Sequence, residues 1–245
     1  MNRTWVSVLA VLPCCAVVSS SSHAEFDLVY DGMVHFEGVN YTYDSSGILG
    51  WDSATRNTTH YAHAGLINFN GGDLQGYCIE LSEGVAEGPA PYEWQGFGFG
   101  INDYESPLGE SDARLMERMA YVAGLYDSYY ELSTQSRSAS AAFAMMTWEL
   151  THENFTSGEP SLWNDQVRLE EGAMQFGNVS EEAREVFDQM RLTLFQSSVD
   201  GLMALNNDGG SSSEGFQDFV TTVPSPSAIG LAVLAGLGRG RRRRN

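Results

Sequence analysis

The segment that decides the fold is Gly65-Leu-Ile-Asn-Phe-Asn-Gly-Gly-Asp-Leu-Gln-Gly-Tyr-Cys-Ile-Glu-Leu81. Two stretches that mix apolar residues with polar ones flank the turn sequence Gly71-Gly72-Asp73, which predicts a β-hairpin. Side chains alternate between the two faces of a strand. One face of the second strand therefore carries Gly76, Cys78 and Glu80, and the other face carries Tyr77, Ile79 and Leu81.

The rest of the first half also reads as strands and loops. Residues 26–39 mix apolar and polar side chains, with a break at Gly32, and predict strand structure. Residues 51–63 are polar and predict a loop. The run Trp94-Gln-Gly-Phe-Gly-Phe-Gly100 predicts a loop or an edge strand. Its aromatic side chains are interpreted as turn and core residues, with a sugar-stacking platform as the alternative.

The second half shows apolar residues at helical spacing. One helix is expected from Ser111 to about Leu132 and another from Ser138 to about Glu153. A third begins at Ser180 and ends near Asn206, and residues 215–222 predict a final strand. The sequence therefore predicts an α+β fold, with N-terminal antiparallel β-strands followed by a helical subdomain and a closing strand.

The N-terminal 24 residues have the pattern of a secretory signal peptide. Arg3 gives a positive start, residues 5–18 are apolar, and Ser22-His23-Ala24 places small residues where signal peptidase cuts. We expect cleavage before Glu25, so residues 1–24 are not part of the folded domain. Signal peptidase is the first expected partner.

The C-terminal 23 residues form a second signal. A proline-containing stretch precedes the apolar residues 228–237, and an arginine block follows them. Ten helical residues span about 15 Å, roughly half of a bilayer core, and the arginines stay on the cytoplasmic side. This predicts transient membrane engagement rather than a permanent anchor, although a short C-terminal anchor is an alternative. The signal comprises Val223, Pro224, Ser225, Pro226, Ser227, Arg241, Arg242, Arg243 and Arg244.

This tail resembles the PEP-CTERM sorting signal, with Pro224-Ser225-Pro226 in place of Pro-Glu-Pro. The resemblance implies recognition by an exosortase-like membrane protease and delivery to the cell surface or extracellular matrix. Residues 25–222 then form a single extracytoplasmic α+β domain, and residues 223–245 form the sorting signal.

The composition of residues 25–222 narrows the classes of function. This region holds all 32 acidic residues but only seven arginines, a net charge of −25. Such a charge repels nucleic acid phosphates. The chain contains no lysine, which excludes lysine Schiff bases and P-loop phosphate binding. Cys14 and Cys15 lie in the signal peptide, so the single remaining thiol of Cys78 has no internal disulfide partner.

Two stretches resemble the thioester domains of bacterial surface proteins. Gly76-Tyr-Cys-Ile-Glu-Leu81 is similar to their F/Y-C-(I/V)-(D/E)-L strand, and Ala141-Ala-Phe-Ala-Met-Met-Thr-Trp-Glu-Leu150 is similar to their A-x-Q-x-A-I-W-E helix. In that family a Cys sulfur and a Gln side-chain carbonyl form an internal thioester. Cys78 stands at the Cys position, but Ala144 stands at the Gln position, and Gln135 is nine residues upstream of it.

We therefore expect a degenerate thioester-like domain without enzymatic activity, with an adhesion or structural role and a surface polysaccharide or protein as ligand. Cys78 is kept as a candidate reactive thiol. One alternative is a covalent adhesin that uses Cys78 with an unrecognised acyl partner. Another is a Cys-His hydrolase, for which the available histidines are His35, His60, His63 and His152.

The sequence predicts no cofactor and no metal site. His60-x-x-His63 has a spacing that could hold a metal, but no third ligand is evident. The acidic pairs lack the Asp-x-Asp-x-Asp-Gly loop of a calcium site. Most of the acidic side chains are therefore interpreted as a solvated surface.

Overall fold

A computed structural model describes residues 25–43, 59–79, 81, 84–97, 112–155, 160–207 and 217–222. The predicted α+β fold is confirmed. In chain order, the elements are β1 (Glu25–Leu28), β2 (Tyr30–Tyr43), β3 (Thr59–Phe69), β4 (Leu74–Cys78), β5 (Ala90–Gly96), α1 (Asp112–Ser133), α2 (Arg137–His152), β6 (Met174–Gly177), α3 (Glu181–Leu192), β7 (Leu202–Asn206) and β8 (Phe219–Thr222).

The described strands form one antiparallel sheet in the order β1-β5-β7-β8-β4-β3-β2-β6. The predicted hairpin is present as β3 and β4, joined by a short 3-10 turn at Asn70–Gly72. The predicted break at Gly32 is also present, since this glycine has a positive φ and the register of β2 against β3 shifts there.

Strand β4 changes its partner half-way along. Leu74–Gly76 pairs with β3, with Gly76 opposite Ile67. The next two residues, Tyr77 and Cys78, pair instead with β8. Among the described residues, β3 and β4 therefore separate after Gly76, and the sheet opens between them.

Helix α2 lies at the centre of the protein. Every residue from Ala139 to His152 is buried, and the helix packs between α1 and α3 and against β2, β3 and β4. Its alanines allow close approach of neighbouring elements. The ring of Phe143 lies 4.5 Å from that of Tyr77, whose hydroxyl is 3.1 Å from that of Ser140. These contacts fix α2 against the second half of β4.

Side-chain caps set the starts of two helices. The Ser136 hydroxyl accepts a hydrogen bond from the Ala139 N–H, and Ser180 accepts one from the Ala183 N–H. The predicted helix starts are thus close to those observed. The end of the third helix was predicted wrongly, because α3 stops at Leu192 rather than near Asn206.

The reason for that error is tertiary pairing. Leu202–Asn206 forms β7, which pairs with β5 on one side and β8 on the other. Its apolar side chains are therefore buried in the sheet rather than on a helix face. Further strand structure also follows the helices, since β6 lies between α2 and α3.

Two predictions of loops are also corrected. For the run 94–100, predicted as a loop or an edge strand, residues 94–96 are strand residues of β5, but β5 lies between β1 and β7 and is not at the edge of the sheet, and residues 98–100 lie outside the described residues. Residues 59–63 belong to β3, because pairing with β2 gives these polar residues backbone partners. The remainder of the predicted loop at 51–58 lies outside the described residues, as do both terminal signals, Glu80 and Ser111. No described helix is sufficiently long and apolar to span a bilayer.

Candidate functional site

The opening between β3 and β4 contains a cavity of about 260 Å³. One wall includes residues of β3, and the other includes Cys78 and described residues beyond β4; the β3 residues are Tyr61, Ala62, His63, Gly65 and Ile67, and those beyond β4 are Leu81, Gly84 and Val85. The cavity exists because β4 turns toward β8 after Gly76. A site of this shape, enclosed on two sides by strands, is suited to a small ligand or one side chain of a larger ligand.

Cys78 lies in the wall of this cavity and is only 4% exposed. It is paired across the sheet with Phe219. Burial raises the pKa of Tyr41, and the neighbouring Cys78 raises it further. The Tyr41 hydroxyl donates to the carbonyl oxygen of Leu81 at 3.3 Å. The thiol therefore lies beside a neutral phenol, in surroundings with little access to water.

Four aromatic residues line the cavity, and each of them contacts one further aromatic or histidine ring. Tyr41 stacks on His60 at 5.2 Å. The remaining three contacts are Trp148 on Phe176 at 6.0 Å, Tyr30 on Phe69 at 6.4 Å and Tyr61 on His63 at 5.3 Å. The aromatic residues of the lining thus come from β2, β3 and α2.

The two stretches of the thioester-domain resemblance lie in the same region. Trp148 and Cys78 line the same cavity. Ala144 precedes Trp148 by one helical turn and is 1% exposed, but it is not among the described residues that line the cavity. Gln135 is exposed in the short connection between α1 and α2 and is also absent from the described lining.

A different glutamine lines the cavity. Gln217 lies two residues before Phe219, the cross-strand partner of Cys78. Gln217 lies just before β8, and its backbone N–H donates to the carbonyl oxygen of Gly84, another residue of the cavity lining, at 3.2 Å. Sequence reasoning missed this residue. The only signal for it was its place in the predicted closing strand, whose register against β4 the sequence does not reveal.

The structure separates the four candidate histidines. His63 lines the cavity with Cys78. His60 and His63 lie three residues apart on β3 and so on opposite faces, which does not suit a shared metal. Among the described residues, no group of three or more His, Cys, Asp or Glu side chains could hold a metal ion. His35 is on β2 and outside the described lining of the cavity.

His152 lies in the core rather than at the cavity. Burial lowers its pKa to about 4, the hydrogen bond from its ring to the Trp148 carbonyl acts in the opposite sense, and the charge of Arg118 lowers it further. The ring Nδ1 lies 3.2 Å from that carbonyl oxygen. A hydrogen bond to that carbonyl requires a proton on Nδ1, which also lies 2.8 Å from the Thr151 hydroxyl oxygen. A buried neutral imidazole of this kind is a structural group.

A second buried polar cluster joins the end of α2 to α1. The guanidinium of Arg118 donates to the carbonyl oxygens of Leu150 and Glu153 at 2.9 and 2.7 Å. The Glu153 carboxylate accepts from the backbone N–H groups of Ala173 and Met174, both at 3.0 Å. These bonds fix the chain after α2 against the start of β6, so the cluster is explained by packing.

Glu149 is the exception within this cluster. It is fully buried, and neither carboxyl oxygen has a hydrogen-bond partner of normal geometry among the described residues. Burial raises its pKa well above the usual value, and the nearby Glu153 raises it further, while the backbone N–H of Arg168 acts in the opposite sense. Burial therefore favours the protonated form of Glu149 over its carboxylate.

No protein-family model, curated protein or solved structure matches this chain.

Proposed function

We propose that this is an exported cell-surface or extracellular-matrix protein whose domain has a non-enzymatic role in adhesion or assembly, with ligand bound at the Cys78 cavity. The terminal sequence patterns support export, removal of residues 1–24 and processing of residues 223–245 by an exosortase-like enzyme. The net charge of −25 on residues 25–222 supports a solvated extracytoplasmic domain.

The observation that carries the non-enzymatic role is the setting of Cys78. Its thiol is buried beside Tyr41. Thioester domains carry the acyl-donor Gln on the helix, and this chain has Ala144 at that position, whose side chain is only a methyl group. Burial in apolar surroundings raises the pKa of a thiol and slows its reactions. The cavity itself remains large enough for a ligand group.

The role of the tail is tested by localisation in the native host. Deletion of Arg241–Arg244 removes four of the five positive charges that follow the apolar segment, so we expect loss of delivery to the surface or matrix. Replacement of the same four residues by lysine keeps the charge and should preserve delivery. Unchanged localisation of the deletion variant would show that the tail is not a sorting signal.

The structural role of Cys78 is tested by thiol titration of the purified protein with and without denaturant. We expect slow modification of the native protein and rapid modification of one thiol after unfolding, because Cys78 is 4% exposed. A native thiol that reacts as fast as the unfolded one would contradict this role.

The covalent adhesin is a second candidate, and the observation that favours it is the shared cavity of Cys78 and Gln217. In this reaction Cys78 Sγ attacks Gln217 Cδ, the thiol proton moves to the amide nitrogen, and ammonia leaves as the Sγ–Cδ bond forms. The test is treatment of the native protein with methylamine, followed by peptide mass spectrometry. N-methylation of the Gln217 side chain, absent from a Cys78→Ala variant, would establish the thioester, and the proposed non-covalent role predicts no adduct.

A further inference from the structure

Strands β2, β3 and β6 present one face to α2 and the other face to solvent. Tyr43 contacts His152 and Phe176 contacts Trp148, so Tyr43 and Phe176 mark the inner face. Side chains alternate along a strand, and directly paired residues share a face. The outer face therefore holds residues 36, 38, 40 and 42 of β2, residues 59, 61, 63 and 65 of β3, and residues 175 and 177 of β6. None of these ten positions is an acid or an arginine, although the domain is strongly acidic.

Three rings form the apolar part of this outer face. Tyr61 is 63% exposed, and a Cβ on Gly38 would collide with the hydroxyl end of its ring. Because the tip of the ring reaches over the neighbouring strand, Tyr61 lies along the sheet and keeps much of its surface open to solvent. The ring of His63 meets that of Tyr61 at 5.3 Å and lies 4.8 Å from that of Phe36. The three side chains form a continuous aromatic platform.

Uncharged hydrogen-bonding side chains continue the outer face beyond this platform. A groove of about 400 Å³ is lined by Asn40, Thr42, Thr59 and Gln175, among others. The one acid among its described lining residues, Glu170, is paired with Arg184 at 2.9 Å. Amide and hydroxyl groups supply both donors and acceptors. At about 3.3 Å per strand residue, platform and groove together extend over about 20 Å.

This combination fits the chemistry of a sugar chain. A sugar ring presents C–H groups on its face, which pack against the negative face of an aromatic ring, and hydroxyl groups at its edge, which bond to amides and hydroxyls. The net charge of −25 on residues 25–222 repels an anionic polysaccharide, and it also repels a second copy of this domain. A cationic ligand would be attracted to the acidic parts of the surface rather than to a face without carboxylates.

From these observations we infer that the outer face of β2, β3 and β6 binds a neutral polysaccharide, which stacks on Tyr61 and forms hydrogen bonds along the groove. Tyr61 and His63 also line the Cys78 cavity, so the platform adjoins that cavity. The inference rests on the proposed adhesive role and names the ligand class of that role.

The test is electrophoresis of the purified full chain through native gels that contain a neutral β-glucan, mannan or galactan, or the anionic polysaccharide alginate. The acidic protein migrates toward the anode in a gel without polysaccharide. We expect at least one of the neutral polysaccharides to retard it increasingly with concentration, and alginate not to do so. No retardation by any of the neutral polysaccharides, or stronger retardation by alginate than by all of them, would overturn the inference.

Variants locate the binding on the platform. Tyr61→Val removes an exposed ring and keeps a residue suited to a strand, so we expect a normal fold and about threefold to tenfold weaker binding of the polysaccharide that retards wild type. The matched control is Phe195→Val, which removes an exposed ring outside the three strands and should leave the affinity unchanged. Equal effects of the two substitutions would overturn the inference.

Gly38→Ala tests the position of the Tyr61 ring while keeping the ring itself. Gly38 has no positive φ, so alanine is compatible with its backbone, but the added Cβ displaces the ring from the sheet. We expect weaker binding than in wild type. Binding at wild-type strength would overturn the claim that the ring binds while lying along the sheet.

The outcome is separable from the fate of the broader proposal. If the protein is delivered through its tail and keeps an unreactive thiol, but binds no neutral polysaccharide, this inference fails and the proposed function stands. If a polysaccharide binds through Tyr61 but the native thiol reacts rapidly, the platform stands and the structural role of Cys78 fails.

Discussion

His152 should make the stability of this protein fall steeply in mild acid. Its ring is 3% exposed, and burial lowers its pKa from 6.5 to about 4. In the unfolded chain the imidazole takes up a proton near its ordinary pKa, whereas in the folded protein it stays neutral until the lower value. At about 1.4 kcal/mol per unit, this shift corresponds to about 3 kcal/mol of folding free energy.

The direction of the change in stability with pH follows from the lowered pKa of His152. The contribution of His152 is fully present above about pH 6.5 and is lost as the pH falls toward about 4. A His152→Asn variant keeps an N–H donor but does not titrate. The difference in unfolding free energy between wild type and variant should therefore shrink by about 3 kcal/mol between about pH 7 and about pH 4.

Urea unfolding followed by tryptophan fluorescence measures this difference at each pH. Between about pH 7 and pH 9 the imidazole is neutral in both states, so the difference should be constant there and provides the baseline. A difference that is also constant from about pH 7 to about pH 4 would refute the reasoning, because it would mean that His152 takes up its proton equally in both states.

Two further predictions concern groups buried against the helices. Glu149→Gln should gain stability relative to wild type as the pH rises above about 4.5, because the raised pKa of Glu149 means that wild type loses stability on ionisation. Urea unfolding at several pH values measures this difference in stability. A difference that does not change with pH would contradict the prediction. Gly124→Ala should cost about 1–3 kcal/mol by thermal or urea unfolding, because the added Cβ collides with the Phe195 carbonyl. The cost of the collision is larger than the gain in helix propensity from Gly to Ala, which is about 1 kcal/mol. Gly201→Ala, which has open space around it, is the control, and equal effects of the two would contradict the packing argument.

The parts of the fold that the sequence predicted are those with local causes. The β3–β4 hairpin follows from the Gly71-Gly72 turn, and the starts of α2 and α3 follow from serine caps. Strand β7 was missed because its apolar residues also fit a continuation of helical spacing. Its partners β5 and β8 are distant in sequence, and only tertiary pairing with them decides between the two structures.

The candidate site shows the same division. Cys78 stood out from a short motif, and the helix that carries Trp148 was recognised by its apolar spacing. The opening of the sheet was not predictable, because it depends on β4 leaving β3 for β8 at Gly76. Gln217 and the four aromatic residues line the cavity at that opening together with Cys78. Their proximity to Cys78 therefore emerged only from the three-dimensional structure.

Under the proposed function, Cys78 keeps its thiol and lines a non-covalent binding site. The most direct measurement is the difference in intact mass between the purified protein and its Cys78→Ala variant, which is independent of how the two ends are processed. We expect the wild-type protein to be heavier by the mass of one sulfur atom. A difference smaller than this by the mass of one ammonia molecule would instead show an internal thioester and overturn the non-covalent role.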